Sequence, residues 1–288
     1  AMITESSVPP EPDPALIRLG PAHLVAAQAL SAAEGWPHRL EDWVFLMSMS
    51  TGFGSLAGGK LVGTALLTPY GLGAATCNMI IVAPAMRGRG LGRRLMNALL
   101  DEAGGRDCRL TATEDGRPLY ERLGFVGTGR ISQWQGLANA LPAPAGVTPA
   151  TPTDLADMAQ LDRCATGMDR SDLLARLIAA GPAWTLRDAD GLHGFVACRP
   201  FGRGHLLGPL AARDDAAAEA LIRAAIAAHA GRFLRVDLTE AGARHQALVR
   251  SAGLMPVGGG LAMTRPGMIA APCATGASTY ALASQALC

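Results

Sequence analysis

The chain has 288 residues, enough for two domains of ordinary size. A formal net charge of +1 excludes the strongly basic footprint of a nucleic-acid binder and the cationic patch of a membrane-surface protein. Hydrophobic residues reach 49%, much of it alanine, and no window approaches the ~18 unbroken apolar residues of a spanning helix, so no membrane partner is expected.

Residues 1–14 hold Pro9, Pro10, Pro12 and Pro14 and are expected as a flexible tail; this polar, proline-rich start predicts no secretory leader. Over residues 21–33, Leu24, Ala27 and Leu30 recur at helical spacing. Residues 40–49 read as a second short helix with Trp43 and Leu46 inward. Gly58-Gly59 then joins two strand-like runs, 53–57 and 60–68, as a hairpin.

Residues 74–82 read as the next strand, ending in Ile80-Ile81-Val82. Pro84 comes next, then Arg87-Gly88-Arg89-Gly90-Leu91-Gly92-Arg93, then an amphipathic helix from about Gly90 to the glycine stop at Gly104-Gly105. Alternate glycines clear side chains from a helix start whose free amides favour an anion, and arginines stand among them. The pattern predicts a phosphate cradle. It is not a P-loop, because G-x-x-x-x-G-K-[ST] is absent and Lys60 is the only lysine. A dinucleotide fingerprint would need glycine at 93, where Arg93 stands, which disfavours a nicotinamide-dependent oxidoreductase.

Residues 108–113 read as the following strand, and Arg117-Pro118 opens a short helix that stops at Gly124. Within it runs Leu119-Tyr120-Glu121-Arg122-Leu123-Gly124-Phe125, and 130–135 form a last strand. Residues 141–150, rich in proline, are expected as a linker. The second half of the chain reads as a worn copy of the first. Pro152…Leu155…Leu161 echoes Pro21…Leu24…Leu30, and Gly253-Leu254 echoes Gly124-Phe125. At a constant offset of 126, Gly88, Arg89, Gly90 and Gly92 become Asp214, Asp215, Ala216 and Ala218, so the copy has lost its cradle; at an offset of 129 Val249 stands for Tyr120. The end of the chain, with Tyr280-Ala-Leu-Ala, is expected to add a strand or plug. The six cysteines are scattered without C-x-x-C spacing, which predicts no metal site and reduced thiols in a cytoplasmic protein.

The order strand, Pro84, R-G-x-G-x-G, helix, strand, then L-Y-E-R-L-G-F resembles the GNAT (Gcn5-related N-acetyltransferase) superfamily, over about Ile17 to Gln135. The repeat, with Gly35-Trp36-Pro37 and the run from Leu110 to Tyr120, is similar to a bacterial subgroup with an appended second acetyltransferase-like domain. The resemblance implies an α/β (α+β) fold of two tandem GNAT-like domains, each a mixed, mostly antiparallel sheet flanked by helices. It divides the chain into a catalytic domain at 15–140, a degenerate one at 151–266, and a C-terminal segment at 267–288 packing on both.

By that resemblance the cofactor is acetyl-CoA (coenzyme A), held by Ile81, Val82, Arg87, Gly88, Arg89, Gly90, Leu91, Gly92, Arg93 and Tyr120. Tyr120 would protonate the departing thiolate, and the Val82 N–H would hold the carbonyl oxygen. The family's common glutamate on the fourth strand is missing, since that strand offers Thr76, Cys77 and Asn78. Glu34, Glu41, Glu114 and Asp115 are other candidate bases, with Glu114 and Asp115 best placed and Glu114 taken as the catalytic base. Thr113 stands where the family usually has asparagine. Trp36 and Trp43 flank the first two helices, where acceptors enter, and are candidate walls for an amine. The implied activity is transfer of acetyl to a primary amine of a small molecule, by a monomer or homodimer. An acyl-CoA sensor or scaffold and a protein-directed acetyltransferase stay open at this point.

Overall fold

The structure, a computed structural model, describes residues 13–267 and 276–288; the expected N-terminal tail and part of the C-terminal segment lie outside the described residues. The first half runs β1 (Ala15–Arg18), α1 (Leu24–Ala33), α2 (Leu40–Met47), β2 (Thr51–Ala57), β3 (Lys60–Tyr70), β4 (Ala74–Val82), α3 (Leu91–Ala103), β5 (Asp107–Ala112), α4 (Arg117–Arg122) and β6 (Val126–Leu137). The second half repeats this order: β7 (Val147–Pro149), α5 (Leu155–Thr166), α6 (Ser171–Ala180), β8 (Ala183–Asp188), β9 (Gly191–Phe201), β10 (Gly204–Ala212), α7 (Asp215–Ala227), β11 (Phe233–Leu238), α8 (Gln246–Ser251) and β12 (Met255–Arg265). β13 (Ser278–Ala281) comes last. β7 lies inside the stretch expected as linker; it pairs with β8 through Val147 and Leu186.

α3 shows why these segments fold as they do. Leu91, Leu95, Met96, Leu99 and Ala103 recur every three to four residues and are all buried. Gly90 and Gly104 bracket the helix at φ 77° and 61°, a left-handed backbone that glycine adopts without strain. Burying each large side chain of this stripe contributes about 1.5–3 kcal/mol.

The strands form one sheet in the order β1-β2-β3-β4-β5-β12-β6-β11-β13-β10-β9-β8-β7. The halves have exchanged their last strands. β12 pairs with β5, whereas β6 pairs with β11 and with β12. The parallel pairs are β4 with β5 and β10 with β11, the two places where a helix crosses over.

One face of the sheet carries α1, α2, α5 and α6 over a core that both halves share, including Trp43, Leu46, Leu161 and Leu177. The other face carries separate cores, under α3 with Leu95 and Leu99 and under α7 with Leu221 and Ile222. No helix among the described residues is long and apolar enough to cross a membrane.

Candidate active site

β4 and β5 pair only from Ala74–Asp107 to Thr76–Arg109 and then diverge. β4 also carries a bulge there. Leu66 faces Asn78 and Thr64 faces Ile81, so Met79 and Ile80 together oppose Ala65. Met79 sits at φ 49°, unusual for a side-chain-bearing residue. The Thr64 hydroxyl donates to the Met79 carbonyl at 2.8 Å, which holds the kink.

Eight residues, 83–90, link β4 to α3 and include Arg87, Gly88, Arg89 and Gly90. Gly88 and Gly90 have φ of 76° and 77°, and a Cβ built on either meets nothing within 4 Å. Gly90 caps the helix without a side chain, so the first amides of α3, on Leu91, Gly92 and Arg93, have no hydrogen-bond partner among the described residues. Arg89 and Arg93 are exposed and make no ion pair with any described residue. An open, positively polarised helix start fits a pyrophosphate. Two expected contacts are placed otherwise. The Arg87 guanidinium is tied to Glu34 at 2.5 Å and to the Val82 carbonyl at 3.1 Å, and its amide donates to Pro84. Ile81 turns its side chain into the core and pairs with Thr64, so only its main chain stays near the cleft.

Where the strands diverge, a cavity of about 360 Å³ opens between the halves. The first half lines it with Trp36, His38, Cys77–Ile80 and Tyr120. The second half supplies Phe201, Arg235 and Val257–Gly259, and the C-terminal segment supplies Ser284–Ala286. Tyr120 is buried, with its ring edge-on to Phe125 at 6.1 Å. Burial, and then the Cys77 thiol, push its phenol above its ordinary range, so it keeps its proton at neutral pH.

His38 stands between the Trp36 and Phe201 rings at 5.8 and 5.4 Å, and its Nδ1 is buried without a partner. Burial, and then the charge of Arg235, bring its pKa down to about 4, so the ring is neutral at pH 7. Neighbouring Asp42 joins the halves: its carboxylate accepts from Arg39 and from the Gly202 amide at 3.0 Å.

Two expected site residues are not brought here. Trp43 is fully buried in the shared core, with Nε1 donating to Ser31 at 3.0 Å, so no acceptor can reach it. Glu114 is exposed beyond the end of β5, outside the cavity lining, as is Asp115. Val82 is half-buried, lies past the bulge and is not part of the cavity lining, which takes Cys77, Asn78, Met79 and Ile80 from this strand. Sequence reasoning missed His38, which carries no periodic signal beyond its place after Gly35-Trp36-Pro37 between two helices. It missed Arg235 too, although a charge inside the otherwise apolar Phe233-Leu234 and Val236 run is a visible sign.

The copy in the second half is closed. Only Arg213 and Asp214 separate β10 from α7, so the constant offset of the sequence reading fails here: the loop is shortened, not merely substituted. Asp214 caps α7 by accepting from the Ala217 amide at 2.8 Å. β13 lies between β10 and β11, in the gap that stays open between β4 and β5, as the expected plug. Val249, in place of Tyr120, is buried.

A model of the acetyltransferase (GNAT) family matches residues 24–125, and one of an acetyltransferase (GNAT) domain matches 158–272. An uncharacterized N-acetyltransferase of Bacillus subtilis, YitH, is 30% identical over 248 residues, 81% of this chain and 86% of that protein. A holothin acyltransferase of Pseudoalteromonas sp. is 28% identical over 156 residues, 53% of each chain. Among solved structures, a candidate acetyltransferase of Pyrococcus horikoshii superposes with a TM-score of 0.78 over 96% of both chains at 17% identity. A tandem GNAT protein from the clavulanic acid biosynthesis pathway superposes with a TM-score of 0.61 at 16% identity, over 88% of this chain and 98% of that one. These two structures share the fold.

Proposed function

This chain belongs to the GNAT acetyltransferase family, and from that premise we propose that its first half transfers an acetyl group from acetyl-CoA to the primary amine of a small molecule. The observation that carries this reading is the cavity between the diverging strands, which holds Tyr120 and is walled by the second half. A volume of about 360 Å³, with no Asp or Glu among its described lining residues, suits a small acceptor better than a basic protein tail.

Acetyl-CoA, when bound, supplies an activated acyl thioester. The amides of Leu91, Gly92 and Arg93, with open ground over Gly88 and Gly90, would hold its pyrophosphate, and Arg89 and Arg93 would screen the charge. The main-chain N–H groups at the Met79–Ile80 bulge are the donors for a developing oxyanion. Tyr120 stays protonated and can give a proton or a hydrogen bond to the leaving sulfur. An alkyl ammonium, with a pKa of ~10.4, must lose a proton before it attacks. The ammonium gives up that proton to solvent, because a ring with a pKa of about 4 is too weak a base to hold it. His38, with its unpartnered Nδ1, is the acceptor of a hydrogen bond from the incoming neutral amine, in place of the exposed Glu114. Most of the rate gain comes from holding two reactants in line.

The test is thiol release from acetyl-CoA across a panel of primary amines, with coenzyme A binding followed by calorimetry. Turnover on at least one small amine is expected. Tight binding with no turnover on any amine would replace this reading with an acyl-CoA sensor.

A further inference from the structure

The cavity wall carries one kind of charge. Arg235 lines it from β11, and no Asp, Glu or Lys among the described residues does. Arg235 is 8% exposed, and its Nε and Nη2 donate to buried Asp237 at 3.1 and 2.9 Å. Gln285 donates to the same carboxylate at 3.1 Å and to Gln133 at 3.1 Å, so the C-terminal segment fixes this pair in place. The guanidinium also lies 5.3 Å from the Phe201 ring centroid. Its remaining nitrogen, Nη1, bonds to no described residue.

Two further polar atoms of the wall are buried and unpartnered. Asn78 gives its Nδ2 to Thr68 at 2.9 Å and leaves Oδ1 without a donor. Ser284, at the start of the segment's cavity contact, leaves its Oγ without a partner. Both residues are 3% exposed. Buried polar atoms of this kind are destabilising until a ligand satisfies them.

We propose that the acceptor is a small amine that also carries a carboxylate, of the amino-acid class, with Arg235 receiving the carboxylate and Asn78 Oδ1 receiving an N–H of the amine. This rests on the acetyl-transfer reading above. A planar guanidinium held by Asp237 offers its free edge for one charge-assisted hydrogen bond at fixed orientation. A polyamine or lysine-rich peptide would bring further cations beside Arg235, with no carboxylate on the wall to receive them. The second half thus acts as the selector for chemistry done in the first.

The test compares kcat/KM, by thiol release, within amine pairs that differ only by the carboxylate: leucine with 3-methylbutylamine, phenylalanine with phenethylamine, β-alanine with ethylamine, and spermidine as a polycation. The carboxylated members are expected to lead by about tenfold or more, the discrimination one buried charged contact gives. Arg235→Gln/Asp237→Asn removes both charges together and leaves no lone buried ion, and it should collapse the difference while coenzyme A affinity holds. Arg235→Lys should keep part of it. Equal kcat/KM within the pairs, a preference for spermidine, or an unchanged difference in the double variant would overturn the proposal. Coenzyme A binding without turnover on any amine would instead bring down the acetyl-transfer reading, and this one with it.

Discussion

Tyr280 donates its hydroxyl to the Asp215 carboxylate at 2.9 Å, at the amino end of α7. At the matching end of α3 stands Gly90, with nothing over it. The second half has filled with its own chain, β13 and a capping acid, the cleft and helix start that the first half keeps open. That contrast is the ground for proposing that the chemistry lies in one half, and several experiments bear on it.

Gly90→Glu sets a side chain at φ 77° and an acid at the helix start proposed to hold the pyrophosphate. Coenzyme A affinity is expected to fall at least a hundredfold by calorimetry. Tm should move by only a few degrees, because the new Cβ meets no neighbour. Gly90→Ala isolates the backbone cost, about 1–2 kcal/mol, and should weaken binding far less. Unchanged affinity in the glutamate variant would remove the loop from cofactor binding.

Tyr120→Phe keeps the ring packed on Phe125 and deletes the proton. Turnover should drop about a hundredfold, within the range for general acid catalysis, with coenzyme A affinity unchanged. A variant as fast as wild type at every pH takes Tyr120 out of the mechanism.

Arg170 and Asp162 form a fully buried pair at 2.6 Å, and Arg170 also donates to the Leu287 carbonyl at 3.1 Å. Tyr70 of the first half donates to the same carbonyl at 3.3 Å. Arg170→Met strands a buried carboxylate and should cost about 3–5 kcal/mol in urea unfolding. Arg170→Met/Asp162→Leu should regain most of it. With the anchor gone, KM for the acceptor should rise through Ser284–Ala286 while coenzyme A affinity holds.

The histidines give stability a definite pH slope. His38, lowered to about 4 by burial and then Arg235, stays neutral in the fold while the unfolded chain takes up a proton near 6.5. Between these values the unfolded state binds more protons, so stability falls as pH drops from about 6.5 towards 4. Asp42, also facing His38, acts the other way, and Arg199 adds to Arg235. Allowing for partial exposure, His38→Gln should recover on the order of 2 kcal/mol near pH 4 relative to wild type. His205, His229 and His245 are lowered in the same direction, so the slope should shrink, not vanish.

Much of this molecule is readable from its sequence. The strand at Ala74–Val82 and the helix closed by glycine at both ends follow from local spacing, and local spacing survives in one sequence. The strand exchange does not. β6 buries only Ile131 and Trp134 among small and polar residues, a pattern that does not say whether β5 or β11 lies beside it. Trp43 and Trp36 look alike as apolar positions near two helices, yet one fills a core and the other a cavity wall. His38, Arg235 and Gln285 meet only through long-range packing, so no spacing along the chain announces them.

The exchanged strands also bear on how such a chain can change over generations. β12 belongs by sequence to the second half, yet it completes the sheet beside β5 and brings Val257–Gly259 to the cavity that Tyr120 lines. Neither half can be shed without tearing a strand from the other. Heredity would then hold β11 and β12 as strictly as the cradle itself, while the outer edge at β7 and β8 drifts freely. A saturation library scored for acetyl transfer should draw that boundary inside the second half.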